Sequence, residues 1–432
     1  MIDGAGEQAS GTKAPPLSDL GAERWAWLFS WAPALHSRNF RLFWLGQLVS
    51  VIGTSVQVVA EGWLIYSLTE STLWLGMVGF LALLPVIPIS FAGGVLIDRV
   101  PRRKLLLATQ TLLLLQALTF GLLAVTGAIR LWQIVALYFV FGAILAIDHP
   151  ARRAFLVDLV EEGELANAVA LNATVFNLSN LIGFALAGVM IAAVGVGATM
   201  MFNAATYFAP LVALLLIRMA DVSAEQSAGG QSARFRVAVW EGLAALWKRP
   251  DILGVISLMA VVGGLAYPVF GMMPAFAEDV VGTGSVGLGI LLSAGAFGSV
   301  LGTAVVARAG VQHRGRTLTL VSLALPLLVG VFAFTKSLWA ACALLALIGL
   351  TLLVLQSLTI TLVQVHIDNR VRGRVMSLYS QLHAGSDTIG NVMIGGAAGY
   401  IGLPIALALG AAAALIYAVG LRAVLPAVSR FE

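Results

Sequence analysis

Long apolar stretches alternate with short polar or charged segments along almost the whole chain. A helix needs about 20 consecutive apolar residues to cross the hydrocarbon core of a bilayer. Twelve stretches are close to or above that length, so the pattern predicts twelve transmembrane helices. The predicted spans are residues 41–67, 73–97, 104–126, 131–150, 165–194, 198–219, 251–277, 286–309, 316–335, 338–365, 373–401 and 403–425.

One polar stretch divides the spans into two sets of six. It reads DVSAEQSAGGQSARFR and is followed by the amphipathic sequence VAVWEGLAALWKR. We interpret residues 220–250 as a cytoplasmic linker that runs into a surface helix. Six-helix bundles are then expected at residues 37–219 and 251–425, with cytoplasmic tails at residues 1–36 and 426–432.

Composition agrees with a membrane protein. Of the 432 residues, 59% are hydrophobic and 11% are charged, whereas soluble domains carry about 25% charged residues. We therefore predict an all-α polytopic membrane protein with short loops. Cys342 is the only cysteine, which excludes a disulfide framework and a cysteine-rich metal cluster.

The basic residues fall almost wholly on one side of the predicted bilayer. If the N-terminus is cytoplasmic, only Arg130 and Lys336 of the 25 basic residues lie in outer loops. Because Lys and Arg accumulate in cytoplasmic loops, we predict that both termini are cytoplasmic and that the protein lies in the inner membrane of the cell. The basic residues form no single patch, so no nucleic-acid partner is expected.

The two sets of spans match each other at a fixed offset, which indicates a parallel internal repeat about an axis along the membrane normal. An offset of 207 residues pairs Leu171 with Leu378, Ser179 with Ser386, Ile182 with Ile389, Gly183 with Gly390, Gly188 with Gly395 and Gly195 with Gly402. Spans five and eleven are therefore predicted to be equivalent. Earlier in each half the spacing is less regular, and Gly76 pairs with Gly287.

The loop after span two carries a recognisable motif, GGVLIDRVPRRK. It resembles the signature loop of the major facilitator superfamily of transporters, although Pro101 stands where the family has a glycine. The matching residues are Gly94, Asp98, Arg99, Arg102 and Arg103. The resemblance implies a fold of two pseudo-symmetric six-helix bundles and a conformational latch in this loop, in which Asp98 faces the start of span eleven and Arg152 and Arg153 at the end of span four.

Three further segments are similar to the enterobactin-exporter-like branch of that superfamily, a group of proton-driven efflux proteins. They read TSVQVVAEGWLIYSLT in span one, DHPARRAFLVDLVEEGELANAVALN after span four, and VRGRVMSLY after span ten. The resemblance covers about residues 37–425. Many antiporters have a Gly-Pro pair in span five, whereas Phe184 follows Gly183 here, so this motif leaves the direction of transport open.

Ionisable residues inside spans are costly and are functional candidates. Glu61 lies one helical turn after Gln57 in span one, and Asp387 lies one turn after His383 in span eleven. We predict that these four residues take part in proton coupling or substrate binding, because a carboxylate held away from water can exchange a proton as its cavity hydrates. The alternative is structural: each carboxylate is satisfied by hydrogen bonds to neighbouring helices.

A substrate cavity is expected near the membrane midplane between the two bundles, with Tyr267 and Phe270 as candidate wall residues. The chain has no G-x-x-x-x-G-K-[ST] phosphate loop, so ATP is not the expected energy source. No zinc-binding or serine-hydrolase motif is visible either, and neither an enzyme, a cofactor nor a metal is predicted.

The sequence therefore predicts a secondary transporter, energised by protons, that exports a small amphiphilic compound such as a drug or siderophore. Its partners are the substrate, protons and the lipid bilayer, and a monomer is expected. Two alternatives stay open: an importer or facilitator of a metabolite or iron-related solute, and a non-exporting component of a membrane assembly.

Overall fold

The computed structural model describes residues 32–86, 89, 100–218, 242–308 and 314–425, and these are helical apart from short turns. The first half contains α1 (Arg38–Thr69), α2 (Thr72–Leu83), α3 (Arg102–Val125), α4 (Leu131–Asp158) and a long segment, Leu165–Thr206, that turns at Gly195 and continues into Phe208–Leu216. We call the part before Gly195 α5 and the part after it α6.

The second half begins with a broken helix, α7, over residues 250–280. It opens with Pro250–Leu258 and continues through short α and π turns. The remaining helices are α8 (Gly284–Arg308), α9 (Arg314–Ala333), α10 (Leu338–His366), α11 (Asn369–Ile401) and α12 (Leu403–Val424).

The described helices account for the predicted spans. Nine helical segments within the described ranges are long and apolar enough to cross a membrane, and one of them, residues 165–216, holds both α5 and α6. The described part of α2 is apolar but short, and α11 is long but more polar. The all-α polytopic fold is therefore confirmed. Counting α2 and α11, the described residues contain twelve helices in the predicted order, and the number of membrane crossings stays a prediction.

The surface around the helices is apolar. Large side chains such as Leu215, Trp339 and Ile416 are mostly exposed. Hydrocarbon tails can cover such a surface without loss of hydrogen bonds, because the backbone groups are already paired within the helices. This surface is that of a protein embedded in lipid.

The two ends of the helical bundle differ in the turns and charges that they carry. Residues with positive φ occur in the loops after α1, α3, α5, α7 and α11, and these loops share one end because successive helices run in opposite directions. We call this the tight-turn end; it holds the predicted outer loops. The basic ends of α3, α4, α9 and α11 lie at the opposite, arginine-rich end, which holds the predicted cytoplasmic loops.

The predicted repeat is confirmed most directly at the turns after α5 and α11. Gly195 has φ 80° and ψ 167°, and Gly402, its partner in the 207-residue repeat, has φ 83° and ψ 149°. Only glycine adopts this region readily, because it has no Cβ. The two equivalent glycines therefore make equivalent reversals between consecutive spans.

The other paired glycines make equivalent helix contacts. A Cβ at Gly183 would lie 2.8 Å from Ile52 O on α1, and one at Gly390 would collide with Gly264 O on α7. A Cβ at Gly188 would lie 2.6 Å from Ser285 O on α8. A Cβ at Gly395 would collide with Thr72 O on α2. The helix pairs α5–α8 and α2–α11 therefore join the two halves.

The structure corrects one predicted pair. The packing equivalent of Gly76 is Gly289 rather than Gly287. Gly76 approaches the Asn391 carbonyl on α11, and Gly289 approaches the Phe184 carbonyl on α5, which is the residue 207 positions earlier. A Cβ at Gly287 would meet only Thr283 of its own segment.

The predicted tails and linker lie largely outside the described residues. Residues 1–31, 219–241 and 426–432 are not described, whereas residues 242–247 are helical. Leu246 in that helix is buried and Trp247 is exposed, as the amphipathic pattern predicts. The domain boundaries stay predictions.

Replacing Gly195 with Ala should destabilise the protein by about 1–3 kcal/mol, since the cost comes from the backbone conformation. No heavy atom lies within 4 Å of the added Cβ, so steric crowding does not contribute. Thermal unfolding of the purified protein in detergent measures the effect.

Gly399→Ala is the matched control, because Gly399 is helical with equally open space, and alanine there should be neutral or slightly stabilising. Equal melting temperatures for Gly195→Ala and Gly399→Ala would contradict the strain argument.

Candidate functional site

A cavity of about 480 Å³ lies between the two halves, walled by α1, α2, α4, α5, α7, α8 and α10. Its volume is typical of small-molecule sites, which span about 300–1,000 Å³. The wall is mostly apolar, and among the described residues it includes no acidic or basic side chain. Its hydrogen-bonding members are Tyr138, Asn177, Asn180, Tyr267, Ser299 and Gln356.

The break in α7 brings aromatic side chains to this cavity. Pro268 and Pro274 lack the N–H that an unbroken helix requires, and the chain passes these positions in short turns. Tyr267 and Phe270 both line the cavity, with ring centroids 6.0 Å apart. The structure thus places both predicted wall residues in the wall; their role in binding substrate stays a prediction.

Phe184, which interrupts the antiporter pattern, also lines the cavity. Its backbone carbonyl lies at the α5–α8 crossing, where a Cβ at Gly289 would be 2.7 Å away. Phe184 therefore forms part of the cavity wall, and its carbonyl group takes part in the contact between the halves.

Hydrogen bonds join the two halves at the tight-turn end. The Tyr66 hydroxyl donates to Asp279 Oδ2. Thr72 Oγ1 donates to Gly395 O over 2.7 Å, and Ser285 Oγ donates to Gly188 O over 3.4 Å. Together with the glycine crossings, these bonds hold the halves together between the cavity and the predicted outer side.

Glu61 lies behind the cavity wall, inside the first half, and is 1% exposed. Its Oε1 accepts a hydrogen bond of 2.7 Å from Gln57 Nε2. The Tyr138 side chain lies beside the carboxyl group and also lines the cavity. The structure therefore brings the predicted pair Gln57 and Glu61 together, and Tyr138 separates them from the substrate space.

The amide of Gln57 is held in one orientation. Its Oε1 accepts a hydrogen bond from Asn203 Nδ2 on α6, so its Nε2 is left to face Glu61 and Gln116 Oε1, the latter at 3.4 Å. Gly53 permits this arrangement, because a Cβ there would collide with the Asn203 side chain.

The second candidate pair lies behind the opposite wall. His383 Nδ1 is 3.4 Å from Asp387 Oδ2, and His383 Nε2 is hydrogen-bonded to Gln356 Nε2 at 3.0 Å. Gln356 lines the cavity, and the Asp387 side chain is 15% exposed. A chain of three polar residues thus leads from the cavity wall to Asp387.

The predicted latch is only partly within the described residues. Gly94, Asp98 and Arg99 fall outside them. Arg102 pairs with Asp158 of α4, and Arg103 Nε donates to Leu214 O over 2.8 Å. The contacts described for these two arginines therefore tie α3 to α4 and α6 within the first half.

The two arginines of α4 have different environments. Arg152 pairs with Asp148 and donates to Gln47 Oε1 on α1, and its side chain is 13% exposed. Arg153 is exposed. The contacts of Arg152 thus lie in the core of the first half, and a latch role for either arginine stays a prediction.

Three polar residues of the site were missed by sequence reasoning: Gln116 on α3, Tyr138 on α4 and Asn203 on α6. Each lies within an otherwise apolar span, and the rule applied to intramembrane carboxylates extends to amides and hydroxyls, whose burial also needs a partner. Sequence alone does not say that the three converge on the pair of Gln57 and Glu61.

Comparisons with known proteins agree with the geometry. A family model described as "Transmembrane secretion effector" matches residues 29–431. The multidrug efflux pump Tap of Mycolicibacterium fortuitum is 25% identical over 366 residues, 82% of this chain and 88% of that protein. The enterobactin exporter EntS of Salmonella typhimurium is 25% identical over 377 residues, 86% and 89% of the two chains.

The staphyloferrin A transporter of Staphylococcus aureus is 25% identical over 271 residues, and the match spans 62% of this chain and 65% of that protein. Among solved structures, a POT family transporter in complex with 5-aminolevulinic acid has a TM-score of 0.72 at 11% identity, covering 91% of this chain and 97% of the other. A bacterial homologue of the lysosomal transporter Spinster has a TM-score of 0.67 at 16% identity, with the same coverage. The chain belongs to the transmembrane secretion effector family of the major facilitator superfamily of transporters.

Proposed function

We propose that this transporter is a proton-coupled exporter of small amphiphilic compounds that are neutral or cationic. It works by alternating access in the inner membrane, with both termini cytoplasmic. The observation that carries the proposal is the cavity between the halves, whose two walls each have a carboxylate behind them. Glu61 lies behind Tyr138, and Asp387 lies behind Gln356 and His383.

The charge of the wall argues for the substrate class. The described wall has no Lys or Arg to neutralise an anion, and both nearby ionisable acids carry negative charge when deprotonated. An apolar wall with a few amides and hydroxyls suits an aromatic or aliphatic body with isolated polar groups. A compound with several carboxylates would be desolvated there without a partner, which is costly.

The same charges supply a means of exchange. A cation in the cavity is attracted by the ionised carboxylates, and a proton bound to either carboxylate removes that attraction. Substrate and proton therefore oppose each other, as exchange in opposite directions requires. The proton gradient supplies the energy for export. Substrate and proton each stabilise the conformation that binds them more tightly, so movement of protons down their gradient can drive movement of the substrate.

The contacts at the tight-turn end define the conformational step. With these contacts formed, substrate enters from the arginine-rich end, which is the predicted cytoplasmic side. Release outward requires the α5–α8 and α2–α11 crossings to separate and the arginine-rich end to close. These crossings rest on glycine–backbone contacts and few hydrogen bonds, and the carboxylate at this end that loses its described partner, Asp279, is exposed. The helices can therefore part without leaving a buried charge unpaired.

Glu61→Gln should abolish proton movement driven by substrate while leaving the fold intact. Glutamine has the same shape and its carbonyl can still accept from Gln57, but it cannot take up a proton. A loss of about 100-fold or more in coupled proton flux is expected. The measurement is substrate-induced dissipation of a pH gradient in inverted membrane vesicles, with a panel of cationic dyes and drugs.

Glu161→Gln is the matched control, because Glu161 is exposed in the loop between α4 and α5. It should behave as the wild type. If Glu61→Gln retains the wild-type proton flux, Glu61 is not the coupling site; if no compound in the panel moves protons with the wild type, the exporter proposal is wrong.

Phe270→Ala should weaken binding of an aromatic substrate, since one face of the cavity loses an aromatic contact worth about 0.5–1.5 kcal/mol. The expected change is a rise in KM of about 2- to 12-fold with a smaller change in kcat. Phe297→Ala is the control, because Phe297 is 49% exposed and does not line the cavity. Equal KM values for both variants would remove Phe270 from the substrate site.

The charge of the transported compound is a separate prediction. Among compounds of similar size and aromatic content, cations such as tetraphenylphosphonium should be exported, and polycarboxylates should not. Efflux from cells of a deletion strain carrying the gene, compared with the empty strain, checks this. Efflux of a tricarboxylate that exceeds efflux of the matched cation would contradict the proposed substrate class.

A further inference from the structure

The face of α1 that points into the first half carries a line of polar side chains. They recur at every third or fourth residue, which places them on one side of a helix. The line consists of Gln47, Ser50, Thr54, Gln57 and Glu61. All but Thr54 are buried, and none of the five lines the substrate cavity.

Side chains from α3, α4 and α6 extend this line into a polar seam through the first half. Near Glu61, the seam consists of Gln57, Gln116 and Asn203, joined by hydrogen bonds. Tyr138 is the titratable group beside Glu61. The other described partner of Glu61 is the neutral amide of Gln57, so no ion pair among the described residues holds the charge of Glu61.

Hydroxyl groups occupy the middle of the seam. Thr54 Oγ1 and Tyr207 Oη are 3.2 Å apart, and the Tyr207 side chain also lies beside Asn203. Ser50 Oγ is buried one turn before Thr54 on α1 and has no hydrogen-bond partner among the residues that the structure describes. Buried groups of this kind are ordinarily paired with ordered water.

At the arginine-rich end the seam reaches a charged cluster. Gln47 Oε1 accepts from Arg152, and Arg152 pairs with Asp148. Thr109 Oγ1 and Gln110 Nε2 donate to Asp148 Oδ1 over 2.7 and 2.8 Å. His149 and Arg153 also interact electrostatically with this cluster. Since His149 and Arg153 of this cluster are exposed, this end of the seam lies close to solvent.

We propose that this seam carries protons between Glu61 and the arginine-rich end, along a route through the first half that is separate from the substrate cavity. The inference rests on the proposed function, because it assumes that Glu61 exchanges protons. A hydronium ion at the tight-turn end gives one proton to a carboxylate oxygen of Glu61 and becomes water. The neutral Glu61 then releases one proton through the seam to water at the arginine-rich end and returns to the carboxylate.

The hydroxyls of Ser50, Thr54 and Tyr207 suit this role because each can donate and accept a hydrogen bond at once. Amides cannot pass a proton on in this way, and so Gln57 and Asn203 orient Glu61 and bind water rather than relay. Substrate enters the cavity from the arginine-rich end, and the proton leaves to that same end. With separate routes the proton can leave while substrate occupies the cavity, whereas a bound substrate would block a shared route.

Helix packing is the competing explanation for the seam, since buried polar side chains also join helices within membranes. Packing predicts that loss of a seam hydroxyl lowers thermal stability and leaves proton kinetics unchanged. A proton route predicts slower proton movement with unchanged affinity for the substrate, because none of the three hydroxyls lines the cavity.

The test uses Thr54→Val and Tyr207→Phe in the full-length protein reconstituted into liposomes with a trapped pH dye. Substrate-driven proton movement is followed by stopped flow, and tetraphenylphosphonium binding is measured at equilibrium. Both variants should slow proton movement by about tenfold or more with the dissociation constant unchanged. Thr54→Ser should restore the rate, since it restores the hydroxyl.

Thr119→Val is the matched control: Thr119 is exposed on α3 and bonds only its own helix in the contacts described. If Thr54→Val does not fold, Tyr207→Phe and Thr54→Ser carry the test. Wild-type proton rates in the folded seam variants, with Glu61→Gln inactive, would overturn the seam and leave the exporter proposal standing. No substrate-driven proton movement in the wild type would overturn both.

Discussion

A carboxylate inside an apolar helical bundle needs hydrogen-bond partners, and those of Glu61 in the described part of the chain are neutral. Gln57 holds one of its oxygens, Asn203 fixes the orientation of Gln57, and the close approach of α1 and α6 at Gly53 makes that contact possible. A neighbouring arginine would have fixed the charge of Glu61 permanently. The neutral setting leaves the group able to change its charge, which is what coupling to a proton gradient requires.

The same half contains a contrasting carboxylate. Asp148 is fully buried and is paired with Arg152 and two further donors. Its charge is compensated, and so it suits a fixed structural or electrostatic role. The polar seam runs from Glu61, whose described hydrogen-bond partner is a neutral amide, to Asp148, whose charge is compensated by Arg152.

The contact between the halves rests on a different constraint, the close crossing of helices. Gly188 and Gly289 bring α5 and α8 together, and Gly76 and Gly395 do the same for α2 and α11. Backbone contacts of this kind can form and break with little change in buried charge. The cavity lies beside these crossings, so their separation would open it towards the tight-turn end.

Much of the fold could be predicted from the sequence. The spans follow from hydrophobic length, and the equivalence of Gly195 and Gly402 follows from one offset because both positions need the same backbone conformation. The pairs Gln57 with Glu61 and His383 with Asp387 were visible because helical spacing is local. The partners from other helices were not: Asn203 is 146 residues from Gln57 along the chain, and no local pattern encodes that contact. Arg152 also shows that a basic residue at the end of a span can turn into the core as well as mark topology.

The proposed exporter uses a proton gradient to drive a cationic amphiphile out through the cavity. Its most direct test is the transport of radiolabelled tetraphenylphosphonium by the purified protein in liposomes, with the membrane potential clamped to zero and the pH gradient imposed in either direction. The expected result is accumulation on the acidic side, and reversal of net flux when the gradient is reversed. Flux that follows the concentration gradient of the compound alone, with no response to the pH gradient, would contradict it.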